Sequence, residues 1–115
     1  MKTLLILNDP PYGTERSYNA LRLAGALAAR EGEEVKLFLI GDAAACARRG
    51  QKVPPGYYNV EAMLHKVIAR HGEVGVCGTC LDARGIADDL TGGARRSSME
   101  QLAEWTLWAD KVVTF

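Results

Sequence analysis

What is scarce in this chain excludes several functions. Its 115 residues hold three cysteines, an odd number and too few for the disulfide framework of a small secreted domain. The four prolines are Pro10, Pro11, Pro54 and Pro55, and none follows residue 55. Fourteen basic residues balance fourteen acidic ones, and the basic ones form no long run. Nucleic acid and anionic membrane are therefore not expected as partners. The two histidines, His65 and His71, and the isolated Cys46 have no paired spacing. A tetrahedral metal site wants four ligands, so no metal is expected within one chain.

Long apolar runs are missing as well. Met1–Leu7 begins as a signal peptide might, but Asn8-Asp9-Pro10-Pro11 cuts it off too early. Nothing approaches the roughly twenty apolar residues of a spanning helix, which predicts a soluble, cytoplasmic protein. Neither GxGxxG nor GxxxxGK[ST] occurs, so no nucleotide cofactor is expected. Short apolar segments instead alternate with amphipathic ones.

Leu4–Leu7 and Val35–Ile40 read as buried strands. Between them Thr14 is expected to cap a helix running to Arg30, with Tyr18, Leu21, Ala24, Leu27 and Ala28 inward and Gly32 ending it. Asp42 is expected to cap a short Ala-rich helix to about Arg49. Pro54-Pro55-Gly56 turns the one long loop. Asn59 then caps a third helix with Val60, Met63, Leu64, Val67 and Ile68 inward, Tyr58 stapling onto Met63, and Gly72 as its stop. Val74–Val76 is a third strand. Residues 90–96 read as loop or short strand. Ser97-Ser98-Met99-Glu100 opens a last helix to about Ala109, and Lys111–Phe115 is a final strand.

Strands interleaved with helices imply right-handed crossovers. The fold class is α/β: one domain over residues 1–115, a three-layer α/β/α sandwich with a mostly parallel sheet. The last helix is apolar over more than one stripe, through Met99, Leu102, Ala103, Trp105, Leu107 and Trp108. A subunit contact and a half-exposed tryptophan both account for that surplus.

The chemistry concentrates at Cys77-Gly78-Thr79-Cys80, where the third strand hands over to a helix. Ligands of open parallel sheets bind beyond the carboxyl ends of the strands, and a thiol at a helix start is drawn toward thiolate. Arg84 follows Cys80 by four residues on the same face, roughly 6 Å along the axis from Cys80 and about 10 Å from Cys77. It reaches Cys80 more readily than Cys77, and suits an anionic sulfur carrier or a carboxylate. Persulfide transfer, dithiol redox cycling and shared metal ligation each fit a CxxC pair, as does a plain pair of core thiols. Asn8, Asp9, Tyr12 and Gly13 follow the first strand and belong on the same edge of the sheet, where they line a pocket or simply form a Pro-Pro turn. Gly75 and Gly78 let backbone N–H groups approach a bound sulfur. Cys46 is expected in the core, both histidines in solvent, and the Gly50–Tyr57 loop as a lid or a partner contact.

Several stretches together resemble the DsrE/DsrF-like family of small sulfur-relay proteins over the full length. They are Leu5–Gly13, Glu15–Arg22, Gly50-Gln51-Lys52 through Asn59, Cys77–Gly85, and Ser98-Met99 through Phe115. The resemblance implies a compact sandwich with a five-stranded parallel sheet, assembling as homotrimers or homohexamers. It implies a persulfide on Cys77, exchanged with donor and acceptor proteins or small sulfane-sulfur compounds, which makes a sulfurtransferase activity possible. Cys80 is absent from the best-known relay subunits, so here it is an auxiliary or resolving thiol. Asn8, Tyr12, Gly78, Thr79 and Arg84 are the expected substrate-binding residues. The other reading is a non-catalytic oligomeric binding module with a small-ligand pocket at the sheet edge. A thioredoxin-like reductase is disfavoured, since no proline follows the CxxC to supply its cis-proline.

Overall fold

A computed structural model describes all 115 residues. Strands β1 (Lys2–Leu7), β2 (Glu34–Leu39), β3 (Glu73–Cys77), β4 (Ala94–Ser97) and β5 (Lys111–Thr114) form one sheet in the order β4-β3-β2-β1-β5. Every pairing is parallel. Helices α1 (Arg16–Ala28), α2 (Val60–Ala69), α3 (Gly78–Ala83) and α4 (Met99–Trp108) connect the strands, together with a 3-10 helix at Gly41–Ala47. The α/β class with a five-stranded parallel sheet is thus as expected. No helix is long and apolar enough to cross a membrane.

Strand alternation divides the apolar residues between two faces. Leu5, Leu7, Leu37, Leu39, Val74 and Val76 face a large core shared with Leu21 and Ala24 of α1, Leu64 and Val67 of α2, and Leu81 of α3. Leu4 and Phe38 face the other way, onto Leu102 and Trp105 of α4. The asymmetry follows from topology. As the sheet grows from β1 to β4, right-handed crossovers keep each connection on one face. The return from β4 to β5, beyond β1, reverses direction and so puts α4 on the opposite face.

Local structure departs from expectation at several points. Thr14 does not cap α1: its hydroxyl donates to Asp9 Oδ2 at 2.9 Å, and Glu15 precedes the helix without a side-chain cap. The Ala-rich segment is a 3-10 helix, and Asp42 accepts from Arg84 at 2.7 Å rather than capping it. Asn59 does cap α2, accepting from Ala62 N at 3.0 Å. The left-handed residue ending α2 is His71 (φ 67°), not Gly72. His71 N–H and Gly72 N–H donate to the Ile68 and Val67 carbonyls, as in a Schellman turn. A Cβ on Gly72 would lie 2.5 Å from Val67 Cγ1, so glycine is needed there for space. Tyr58 stacks on Tyr18, with ring centroids 4.2 Å apart. Within the Ser97-Ser98-Met99-Glu100 opening the cap of α4 is Ser98, accepting from Gln101 N at 3.2 Å. Residues 94–97 are the fourth strand; Leu90 makes only an isolated bridge to Arg48.

Candidate functional site

Cys77 is the last residue of β3 and the cap of α3. One turn of helix brings the Cα of Cys80 to 5.2 Å from that of Cys77, and the two sulfurs are joined as a disulfide. Cys77 Sγ accepts from Cys80 N at 3.4 Å and lies 3.4 Å from the Thr79 hydroxyl. Cys80 Sγ accepts from Gly41 N–H at 3.2 Å. Gly41 has a φ of 59°, a left-handed turn after β2 that glycine adopts without a Cβ penalty. The pair straddles the sheet edge: Cys77 packs against the Phe38 cluster under α4, and Cys80 against the larger core. Both are half-buried.

The chain leaves β3 toward one face, into α3, and leaves β4 toward the other, into α4. Neighbouring strands whose exits diverge open a crevice at their carboxyl ends. A cavity of about 350 Å³ occupies it, lined by Cys77, Gly78 and Thr79 on one side and Arg96 to Met99 on the other, with Phe38 at its base. Cys77 and Ser97 are register partners. Arg96 donates to both oxygens of Asp82, at 2.8 and 2.7 Å. That pairing holds the Asp82 carboxyl below its usual range and raises Arg96. The guanidinium lies so close over Gly78 that a Cβ there would be 2.8 Å from Arg96 Nε.

The sequence profile of the DsrE/DsrF-like family matches residues 1–115. The chain belongs to that family. Family membership supports a role related to sulfur relay in general terms. Protein YchN of Escherichia coli K12 is 43% identical over 116 residues, covering 99% of this chain and 98% of its own. An uncharacterized Methanopyrus kandleri protein is 38% identical, covering 96% of this chain and 91% of its own. The crystal structure of E. coli YchN superposes with a TM-score of 0.91 at 42% identity, each chain fully covered.

Of the residues expected at the site of this DsrE/DsrF-like chain, Cys77, Gly78 and Thr79 line one cavity with Cys80 directly behind. Arg84 lies behind the pair: it donates to the Cys80 carbonyl at 3.0 Å and to Asp42 at 2.7 Å, and touches neither sulfur. Asn8 is on the same sheet edge but not in the cavity, its amide donating to the Phe115 carbonyl at 3.0 Å. Tyr12 belongs to a different pocket, with Lys52, Val53, Pro54, Tyr57 and Tyr58. Its hydroxyl donates to Gln51 at 2.7 Å and accepts from Val60 N. Gly75 serves packing, since a Cβ there would meet Trp105 at 2.9 Å. Cys46 is fully buried, and burial pushes its thiol up to about 12.

Arg96, Asp82, Ser97 and Ser98 are site residues beyond those expected from the sequence. A polar cluster behind the long loop is equally unexpected. Glu61 accepts from the Gly50 and Gln51 amides and from the Thr91 hydroxyl, and His65 Nε2 lies 2.6 Å from that hydroxyl. His65 is exposed, as expected, and also meets Thr91, while the loop is pinned to α2 through Glu61 rather than arranged as a lid. Burial pushes the Glu61 carboxyl up, but Thr91 and the two amides outweigh it and hold the group down. Asn59 and Glu61 at the start of α2 were the available signal: a cap and a carboxylate positioned to bind a preceding loop.

Proposed function

We propose that this protein carries sulfane sulfur as a persulfide on Cys77, with Cys80 as the resolving thiol. The observation that carries this reading is the cysteine pair set at the mouth of the β3–β4 crevice. Opening of the disulfide by a thiol reductant frees Cys77 toward the cavity. The Cys77 thiolate takes the outer sulfur of a donor, whose own sulfur leaves as thiolate. The stored sulfur then has two exits. An acceptor thiolate attacks it and regenerates Cys77, or Cys80 attacks Cys77 Sγ, re-forming the disulfide and expelling hydrosulfide. Gly41 N–H, already directed at Cys80 Sγ, favours the thiolate that makes this second attack.

Donor and acceptor are sulfur-handling proteins or small sulfane-sulfur compounds, met in the cytoplasm. Self-association as a trimer or hexamer belongs to the same proposal. Met99 is 65% exposed, Leu107 88% and Val112 44%, more apolar surface along α4 and β5 than one copy covers.

The test is intact mass after reduced protein meets a sulfane-sulfur donor. Wild type gains one sulfur atom, which is then lost as hydrosulfide when Cys80 re-forms the disulfide or when a reductant is added. Cys77→Ser gains none, and Cys80→Ser loads but releases sulfide slowly. Equal loading of the Cys77→Ser protein refutes the assignment to Cys77, and no gain in wild type, with both thiols slow to alkylate, favours the non-catalytic binding module.

A further inference from the structure

The crevice has a charge character that the cysteines alone do not explain. Its lining contains one guanidinium, from Arg96, three hydroxyl side chains, from Thr79, Ser97 and Ser98, and no carboxylate. The guanidinium adjoins Gly78, the residue after Cys77. Arg96 also shows which anion its fork takes. It holds the Asp82 carboxylate through two parallel N–H···O bonds of 2.8 and 2.7 Å, the bidentate geometry that distinguishes arginine from a point charge. Both side chains are exposed, at 53% and 54%. An intramolecular pair so open to water is weakly held and exchanges readily with a competing carboxylate.

We propose that Arg96 anchors the sulfur donor, and that the donor is a low-molecular-weight hydropersulfide bearing a carboxylate. Deepening the persulfide reading of Cys77, the inference rests on it. The donor's carboxylate displaces Asp82 from the Arg96 fork, and its S–S end turns toward Cys77. The Cys77 thiolate attacks the terminal sulfur. A Cys77–sulfur bond forms, the donor's S–S bond breaks, and the donor departs as thiolate with the bonding electron pair. The terminal proton stays on the transferred sulfur, so the exchange involves no net oxidation. A cavity of about 350 Å³ has room for such a molecule beside the guanidinium. Asp82 acts as an occupant to be displaced, keeping Arg96 poised while the site is empty.

The test compares two donors that differ in charge alone: the hydropersulfides of 3-mercaptopropionate and of 3-mercaptopropionamide. Loading rates are read by intact mass on pre-reduced protein, as the sum of the sulfur-bearing form and the disulfide that Cys80 makes from it. Wild type takes sulfur from the carboxylate donor about tenfold faster than from the amide, as expected of one charge-assisted contact. Arg96→Gln brings the ratio of the two rates to about one, and Arg96→Lys retains only part of the preference. Asp82→Asn, which vacates the fork, increases the preference. Equal rates with both donors in wild type overturn the anchor and leave Cys77 loading intact. An equal fall for both donors in Arg96→Gln also overturns it, because a structural role is then sufficient. No loading of wild type from either donor defeats the persulfide reading itself, and the anchor with it.

Discussion

Gly75→Ala is a stringent test of how α4 is seated. Gly75 lies mid-strand in β3, two residues before Cys77, under the indole of Trp105. An added Cβ would stand 2.9 Å from Trp105 Cη2, 3.1 Å from Cζ3 and 3.3 Å from the Ser97 Cβ. Trp105 is 6% exposed and meets Phe38 edge-on, with centroids 6.2 Å apart, so the ring has little freedom to retreat. Overpacking of this kind costs about 1–3 kcal/mol. Replacing a strand glycine returns roughly 0.5–1 kcal/mol by restricting the unfolded chain. The net expectation is a loss of about 1 kcal/mol, which for a chain of this size lowers Tm by roughly 4 °C. Urea unfolding followed by tryptophan fluorescence, at fixed protein concentration, measures it. The decisive comparison is Gly75→Ala in a Trp105→Phe background, where the six-membered part of the indole is gone and the methyl group has space. There the substitution becomes neutral or stabilising. An equal penalty in both backgrounds, or a gain in the native one, refutes the steric account.

Three further outcomes are expected. With its pKa near 12, Cys46 is almost entirely thiol at pH 8. Iodoacetamide then alkylates two cysteines of the reduced native protein and the third only after denaturation. Glu61, whose folded pKa lies below the ordinary 4.5, contributes stability that is present above pH 4.5 and is lost as pH falls through the folded value. Glu61→Gln removes that part of the acid sensitivity, seen as a flatter curve of urea midpoint against pH below 4.5. Leu107→Glu, on the exposed side of α4, shifts sedimentation toward smaller species without changing the far-UV circular dichroism. An unchanged sedimentation profile, or a wild type that is already monomeric, overturns the proposed contact along α4.

Strands β1, β2 and β3 were legible because each is a short, largely buried apolar run, and α1 and α2 because each carries one apolar stripe; β4, Ala-Arg-Arg-Ser with no buried residue, has no such run and read as loop or strand alike. Cys77 and Cys80 were legible because their spacing and their position at a strand end are local facts. Arg96 was not. Its place beside Gly78 depends on β4 lying next to β3 in the register Cys77–Ser97, a pairing across twenty residues that no local pattern states. Tyr12 failed for the opposite reason. It sits at the correct end of β1, but Gln51 and Val60 N hold its hydroxyl in a different pocket. Thr14 and Asp42 look like helix caps by residue type, and each found a stronger partner, Asp9 and Arg84. A cap is a competition that sequence alone does not decide.

The sheet order has a consequence for how the chain assembles. Strands β1 to β4 add to one another in the order in which they are synthesised, each beside the last. The outer edge of β1 instead waits for β5; Leu5 pairs with Val113 there, and the Lys2 amide donates to Asp110 across 108 positions. Until that late strand arrives, a strongly apolar strand presents its backbone donors and acceptors to any neighbour. During synthesis this is the interval of greatest exposure to aggregation. A chaperone that shields one nascent edge here would protect the first strand made.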